Sequence, residues 1–212
     1  FCAGARRALA LFGSTSPSYL ILQSLDAANR ELAGGFPARL GDMAERTASL
    51  GKSLAAHGFT LTGDEPMKLT IAARPWGYTG EGLARALYDA GIVPEFYDPD
   101  YLVMMVSPSN SAADISRLGE ALMSIPRRRA EDIIPPLPGR PRAAMRIRDA
   151  VMSPAERIPV EKAVGRVLAD TSVGCPPAVP IAVSGEIIDE NAVRCFEYYG
   201  IGSCIVTKET DG

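Results

Sequence analysis

Apolar residues recur at helical spacing through Leu40, Met43, Ala44, Thr47, Leu50 and Leu54, one stripe of an amphipathic helix that the pattern predicts from about Pro37 to Ala56. A preceding helix is predicted from Pro17 to about Ala33, with Ser16 able to cap it, Pro17 suited to its first position and Gly34-Gly35 ending it. Phe59 to Thr62 and Met67 to Ala73 alternate or run apolar over strand-like lengths, and Arg74-Pro75-Trp76-Gly77-Tyr78 then reads as a turn. Thr79 can cap a third helix from Gly80 to about Ala90, which Gly91 stops. Strands at Ile92 to Tyr97 and Tyr101 to Val106 lead to a helix from about Ala112 to Ser124, capped by Asn110 or Ser111. Strands and helices mixed in this way predict an α/β layer.

The pattern then breaks. Pro126, Pro135, Pro136, Pro138 and Pro141 fall within sixteen residues, beside Arg127-Arg128-Arg129, and this composition reads as a linker. Beyond it, a short helix near Val160 to Val164, strands at Arg166 to Ala169 and Ile181 to Val183, a helix near Glu190 to Tyr199 and a last strand at Ser203 to Thr207 predict a small α+β unit. The expected organisation is therefore a first domain over 1–125, a linker over 126–142 and a second domain over 143–212, giving the fold class α/β and α+β.

Composition narrows the function. With 22 basic and 25 acidic residues, the formal net charge of −3 gives no electrostatic reason to expect a nucleic acid or an anionic membrane. Glu131-Asp132 follows the arginine run at once, which favours a solvated linker over a binding patch. The apolar run Tyr101 to Val106 is far too short to span a bilayer. Cys2, Cys175, Cys195 and Cys204 lack C-x-x-C spacing and His57 is the sole histidine, so a zinc site is not expected. Scattered thiols of this kind suit a cytoplasmic protein. His57, just before Gly58, reads as a helix-end residue. Asp98 and Asp100, on either side of Pro99, read as turn residues. Trp76 and Tyr78 read as packing residues before pocket aromatics.

One cluster carries candidate chemistry. Ser14, Thr15 and Ser16 lie at the start of a helix, where the first backbone N–H groups have no internal partner and the helix dipole is positive. Hydroxyls there serve either as a cap or as part of a phosphate cradle.

The stretch Leu11-Phe12-Gly13-Ser14-Thr15-Ser16-Pro17-Ser18-Tyr19, continued by Leu25-Asp26-Ala27-Ala28, resembles the pyridoxal-phosphate-dependent Orn/Lys/Arg decarboxylases. Far downstream, Ser153-Pro154-Ala155-Glu156-Arg157-Ile158-Pro159, Ala163-Val164-Gly165-Arg166-Val167, Pro176-Pro177-Ala178-Val179-Pro180 and Gly185-Glu186-Ile187-Ile188 resemble that family's C-terminal domain in the same order. The resemblance implies that the first domain is the small domain of an aspartate-aminotransferase-type fold. It implies that Ser14, Thr15 and Ser16 reach the phosphate of a partner subunit's pyridoxal phosphate, so that the parent is a homo-oligomer. It also implies that Glu95, in Gly91-Ile92-Val93-Pro94-Glu95, faces the distal cation of an arginine, lysine or ornithine substrate whose decarboxylation yields a polyamine precursor.

The family's Schiff-base lysine lies upstream of the Ser-Thr-Ser-Pro segment, and none of the thirteen residues before Ser14 is a lysine. The expectation is thus a C-terminal portion, inactive alone and without a cofactor of its own. The alternative is a non-catalytic oligomerisation or regulatory module derived from the same family. Ala178 stands where the family's Pro-Pro loop usually has glycine, which leaves no site residue to assign there.

Overall fold

The computed structural model describes residues 2–13, 15–170 and 180–208. Two helices open it, α1 (Cys2–Phe12) and α2 (Tyr19–Ala33), followed by the long α3 (Phe36–His57). Strands β1 (Thr60–Thr62) and β2 (Lys68–Ala72), helix α4 (Gly80–Asp89), strands β3 (Phe96–Tyr97) and β4 (Tyr101–Met105), and helix α5 (Ala112–Ser124) complete the first part. The second part holds α6 (Ile147–Met152), β5 (Ala155–Pro159), α7 (Glu190–Tyr198) and β6 (Ser203–Thr207).

The four strands form one antiparallel sheet in the order β1-β2-β4-β3, with Ile71 opposite both Leu61 and Leu102. Alternation decides which face is covered. Leu69, Ile71, Leu102 and Met104 are buried, and they belong to one core with Leu50 and Leu54 of α3, Leu83 and Leu87 of α4, and Ile115, Leu118 and Leu122 of α5. The other face, carrying Lys68, Thr70, Tyr101 and Val103, stays open. A second core gathers Val160, Leu168, Ile181, Ile188, Phe196 and Val206 around the β5–β6 pair and α7. The result is a mixed α/β chain with small antiparallel sheets.

Local chemistry explains the element ends. Gly58 stops α3 at φ 114°, in the left-handed region that glycine enters without a Cβ penalty. The Thr79 hydroxyl accepts from the Gly82 N–H at 2.9 Å to cap α4. Ser111 and Asp114 form a reciprocal capping box on α5. Against expectation, α2 starts at Tyr19 with Ser18 in the cap position, so Ser16 is not the cap and Pro17 lies outside the helix.

The predicted strand Ile92 to Tyr97 shortens to Phe96–Tyr97, because Ile92 N–H is taken by the Leu87 carbonyl at 2.9 Å and Pro94 has no N–H to give. Val160 to Val164 is only a 3-10 turn over Val160–Lys162. Arg166 to Ala169 makes single bridges to Ile187 and Val206 rather than a strand. Ile181 to Val183 runs instead into a turn, where the Glu186 carboxylate accepts from the Val183 N–H at 2.7 Å.

Residues following Ile125 are strapped onto the turn at Arg74–Trp76 rather than left loose. Trp76 Nε1–H donates to the Ile125 carbonyl at 3.2 Å, Tyr78 Oη–H to that of Pro126 at 2.9 Å, and the Arg128 N–H to that of Trp76 at 3.0 Å. Arg127 and Arg128 lie over the rings of Trp76 and Tyr78, at 5.3 and 4.2 Å from the centroids. Trp76 and Tyr78 are thus packing residues, and His57 stands in the last turn of α3 beside Trp76.

Two glycines separate close approach from mere helix placement. A Cβ at Gly80 would overlap the carbonyl oxygens of Tyr101 and Asp98, whereas one at Gly41 in α3 would meet nothing within 4 Å. Gly80→Ala is expected to destabilise the fold by about 3 kcal/mol, and Gly41→Ala to stabilise it by roughly 0.5–1 kcal/mol, both read from urea unfolding.

Candidate functional site

The hairpin joining β3 to β4 is built by its own side chains. The Asp98 carboxylate accepts from the backbone N–H groups of Asp100 at 2.7 Å and Tyr101 at 2.6 Å, and the Asp98 N–H donates to the Tyr101 carbonyl at 3.0 Å. Asp98 and Asp100 are therefore turn residues, as their place around Pro99 suggests, yet each is only 7% exposed. Burial raises the Asp98 carboxyl above the usual carboxylate range, against the pull of the two N–H donors.

Asp100 turns the other way, toward the second core. Its Oδ1 accepts from the Tyr198 hydroxyl at 2.7 Å and from Arg74 Nε at 3.4 Å. Arg74 Nη2 lies 3.5 Å from the Tyr198 oxygen, and Nη1 pairs with Glu131. Four segments meet in this cluster: the turn before α4, the β3–β4 hairpin, the proline-rich segment that holds Glu131 and the C-terminal end of α7. Burial works against the Arg74 charge, but the bonds to Glu131 and Tyr198 outweigh it and hold the guanidinium above its ordinary value. Burial, then the bond to the Asp100 carboxylate, pushes the Tyr198 hydroxyl up to about 12.

On its far side the hairpin borders an open groove of about 580 Å³ across the uncovered sheet face. Asp64, Glu65, Phe96, Asp98 and Tyr101 line it, together with Lys68, which pairs with Glu65 at 2.5 Å. Carboxylates and aromatic rings around one opening suit a cationic ligand.

The residues singled out in the sequence fall elsewhere. Ser14 lies outside the described residues, as do Pro176 to Val179 of the Pro-Pro loop. Thr15 and Ser16 sit exposed in the bend before α2. Glu95 is exposed, immediately before β3, and its N–H donates to the Val103 carbonyl at 3.0 Å. None of the three lines the groove, although Phe96, next to Glu95, does. The Arg74–Asp100–Tyr198 cluster has no local signature in the sequence, since its members stand 26 and 98 positions apart.

The start of α2 has the make-up that a phosphate group needs. Ser18 makes no side-chain bond to the first-turn N–H groups, the first turn holds no acidic residue, and the Thr15 and Ser16 hydroxyls precede it. Among the described residues, no three His, Cys, Asp or Glu side chains converge as a metal-ligand set, and no helix is long and apolar enough to cross a membrane.

Residues 135–203 match the family described as Orn/Lys/Arg decarboxylase, C-terminal domain. The chain carries the C-terminal domain of the Orn/Lys/Arg decarboxylase family. Similarity runs beyond that domain: an arginine decarboxylase of Bacillus subtilis is 31% identical over 87% of the chain, and one of Halalkalibacterium halodurans is 30% identical over 86%. The chain spans 42% and 41% of the length of these relatives. The fold is similar to that of the E. coli constitutive lysine decarboxylase, with a TM-score of 0.66 at 18% identity, covering 95% of this chain and 45% of that one.

The raised Tyr198 hydroxyl has a defined consequence for stability. Folding favours the protonated form, so the contribution is full below the ordinary tyrosine value of about 10 and is lost as pH rises through about 12. Urea unfolding across this alkaline range is expected to show a loss of stability that Tyr198→Phe, having no group to titrate, lacks.

Proposed function

We propose that this chain is the C-terminal portion of a pyridoxal-phosphate-dependent decarboxylase of a basic amino acid, arginine, lysine or ornithine, whose product feeds polyamine formation. The observation that carries the reading is the extent of the similarity to arginine decarboxylases, which runs through 87% of the chain instead of stopping at the C-terminal domain. On this reading residues 1–125 are the small domain of an aminotransferase-type fold, 126–142 the linker and 143–212 the C-terminal domain. The Schiff-base lysine belongs to a large domain outside this sequence, and the chain alone is inactive. The working enzyme is a cytoplasmic homo-oligomer.

When bound, pyridoxal phosphate supplies the electron sink for loss of the α-carboxylate. The part left to this chain is binding and charge placement. Ser14, Thr15 and Ser16, at the N-terminal end of α2, hold the phosphate. The exposure of α1 and α2 supports a role toward another subunit. Among the described residues nothing covers Phe12 or Tyr19, which are 89% and 87% exposed, and α2 buries no residue at all. A basic substrate also brings a distal ammonium or guanidinium that is costly to desolvate unpaired. Glu95 is the assigned partner, and its exposure leaves its carboxylate free of competition from the core.

Two substitutions in the full-length enzyme test these roles. Thr15→Ala is expected to weaken cofactor retention about tenfold, the order expected for losing one hydrogen bond to a charged oxygen, as measured by pyridoxal phosphate released on dialysis. Unchanged retention would reduce the segment to a helix start. Glu95→Gln is expected to raise KM for the basic substrate about tenfold with kcat little changed. An unchanged KM would move recognition of the distal cation to another group.

A further inference from the structure

We propose that Tyr198 is a positioning residue for substrate binding: by holding Asp100 it sets the β3–β4 hairpin that presents Asp98 and Tyr101 to the groove on the open sheet face. The inference rests on the decarboxylase reading above and assigns the C-terminal domain a part in substrate affinity.

The chain of contacts is short and directional. Tyr198 ends α7, whose Phe196 and Cys195 are buried in the second core, so its hydroxyl is carried on a fixed element. That hydroxyl donates to Asp100 Oδ1 at 2.7 Å. The Asp100 N–H is itself one of the two donors on Asp98 Oδ1, at 2.7 Å, and the Tyr101 N–H is the other, at 2.6 Å. A shift of Asp100 therefore reaches both groove residues through one shared acceptor.

The far side of the hairpin cannot absorb such a shift. Gly80 at the start of α4 is seated so closely on the Tyr101 and Asp98 carbonyls that not even a methyl group fits between them. The Asp100 carbonyl is held in turn by the Ala73 N–H at 2.7 Å. With one side wedged against α4, the direction of the Asp100 side chain is set from the other, where Tyr198 and Arg74 grip the same oxygen. A purely apolar contact between the two cores would join them without fixing that direction, because hydrophobic contact is non-directional.

The groove gives this geometry a use. Asp98 is the most deeply buried carboxylate lining it, and Phe96 and Tyr101 stand beside it. Glu95, assigned the distal cation above, immediately precedes the groove residue Phe96, and Asp98 is the second carboxylate offered to the same basic side chain. The acceptors of that side chain must be held in place, because a loosely held partner returns less of the desolvation cost.

The test is steady-state decarboxylation of arginine, lysine and ornithine by the full-length enzyme and its variants. Tyr198→Phe keeps the ring and removes only the donor. It is expected to raise KM for the accepted substrate about fivefold with kcat nearly constant, a fraction of the effect of losing a direct hydrogen bond. Asp100→Ala should match it, the double variant should go no further, and Asp100→Asn, which keeps an oxygen for the hydroxyl, should restore most of the affinity. A Tyr198→Phe enzyme with a lowered melting temperature but unchanged KM would overturn the inference, since the contact would then be structural alone. A wild-type enzyme inert toward all three amino acids would instead overturn the decarboxylase reading on which the inference stands.

Discussion

A carboxylate withdrawn from water must be answered by donors, and the donors that answer Asp100 hold the two halves of the chain together. Its side chain is only 9% exposed, and both Arg74 and Tyr198 converge on one of its oxygens. Without them the Asp100 charge would carry a desolvation penalty of several kcal/mol. The cluster is stable because its members are satisfied together: Arg74, itself shielded from solvent, is shared between Asp100 and Glu131, and no buried side-chain oxygen or nitrogen among the described residues lacks a partner. The proline-rich segment after α5 is therefore part of the packed structure. It supplies Glu131, while Arg127 and Arg128 stack on the aromatic residues that flank the same turn.

Charge balance in this cluster also shapes the groove. Burial is the main cause that raises the Asp98 carboxyl, the neighbouring Asp100 adds to it, and Arg74 works in the opposite sense. Because Arg74 is engaged by Asp100 and Glu131, it relieves Asp98 only in part, and burial then keeps the Asp98 carboxyl above the usual range. A cation entering the groove would favour its ionised form, so the opening is better matched to a basic ligand than to an acidic one.

Sequence reasoning located the helices that announce themselves locally. The stripe through Met43, Thr47, Leu50 and Leu54, the Thr79 and Ser111 caps and the stops at Gly58 and Gly91 all act within one or two turns of the residues that signal them. It missed α1, whose eleven residues have neither an acidic first turn nor a basic last one to signal their ends, α6, which has six residues and no room for a period, and β5, whose Ala155–Pro159 run is mostly exposed and among the described residues pairs with β6 alone. Strands expected at 166–169 and 181–183 failed for a related reason: their apolar residues face the second core through bridges and turns, which burial permits and alternation cannot distinguish from a ladder. The cluster at Asp100 was out of reach, because a lone Tyr198 and a lone Arg74 carry no local pattern linking them across 124 positions.

The start of α2 shows how a small error of register changes the chemistry available. Ser18, not Ser16, stands in the cap position of α2, and it makes no side-chain bond to the first turn. Thr15 and Ser16 stand ahead of that turn on an exposed bend. The same helix shows apolar residues to solvent through Leu20, Ile21, Leu22 and Leu25, so a surface that covered them would bring its own groups to the N-terminal end of α2. Hydroxyls ahead of an apolar helix that its own core leaves uncovered are what the proposed phosphate role requires. This is the arrangement expected of a segment that contributes to a cofactor site beyond its own core.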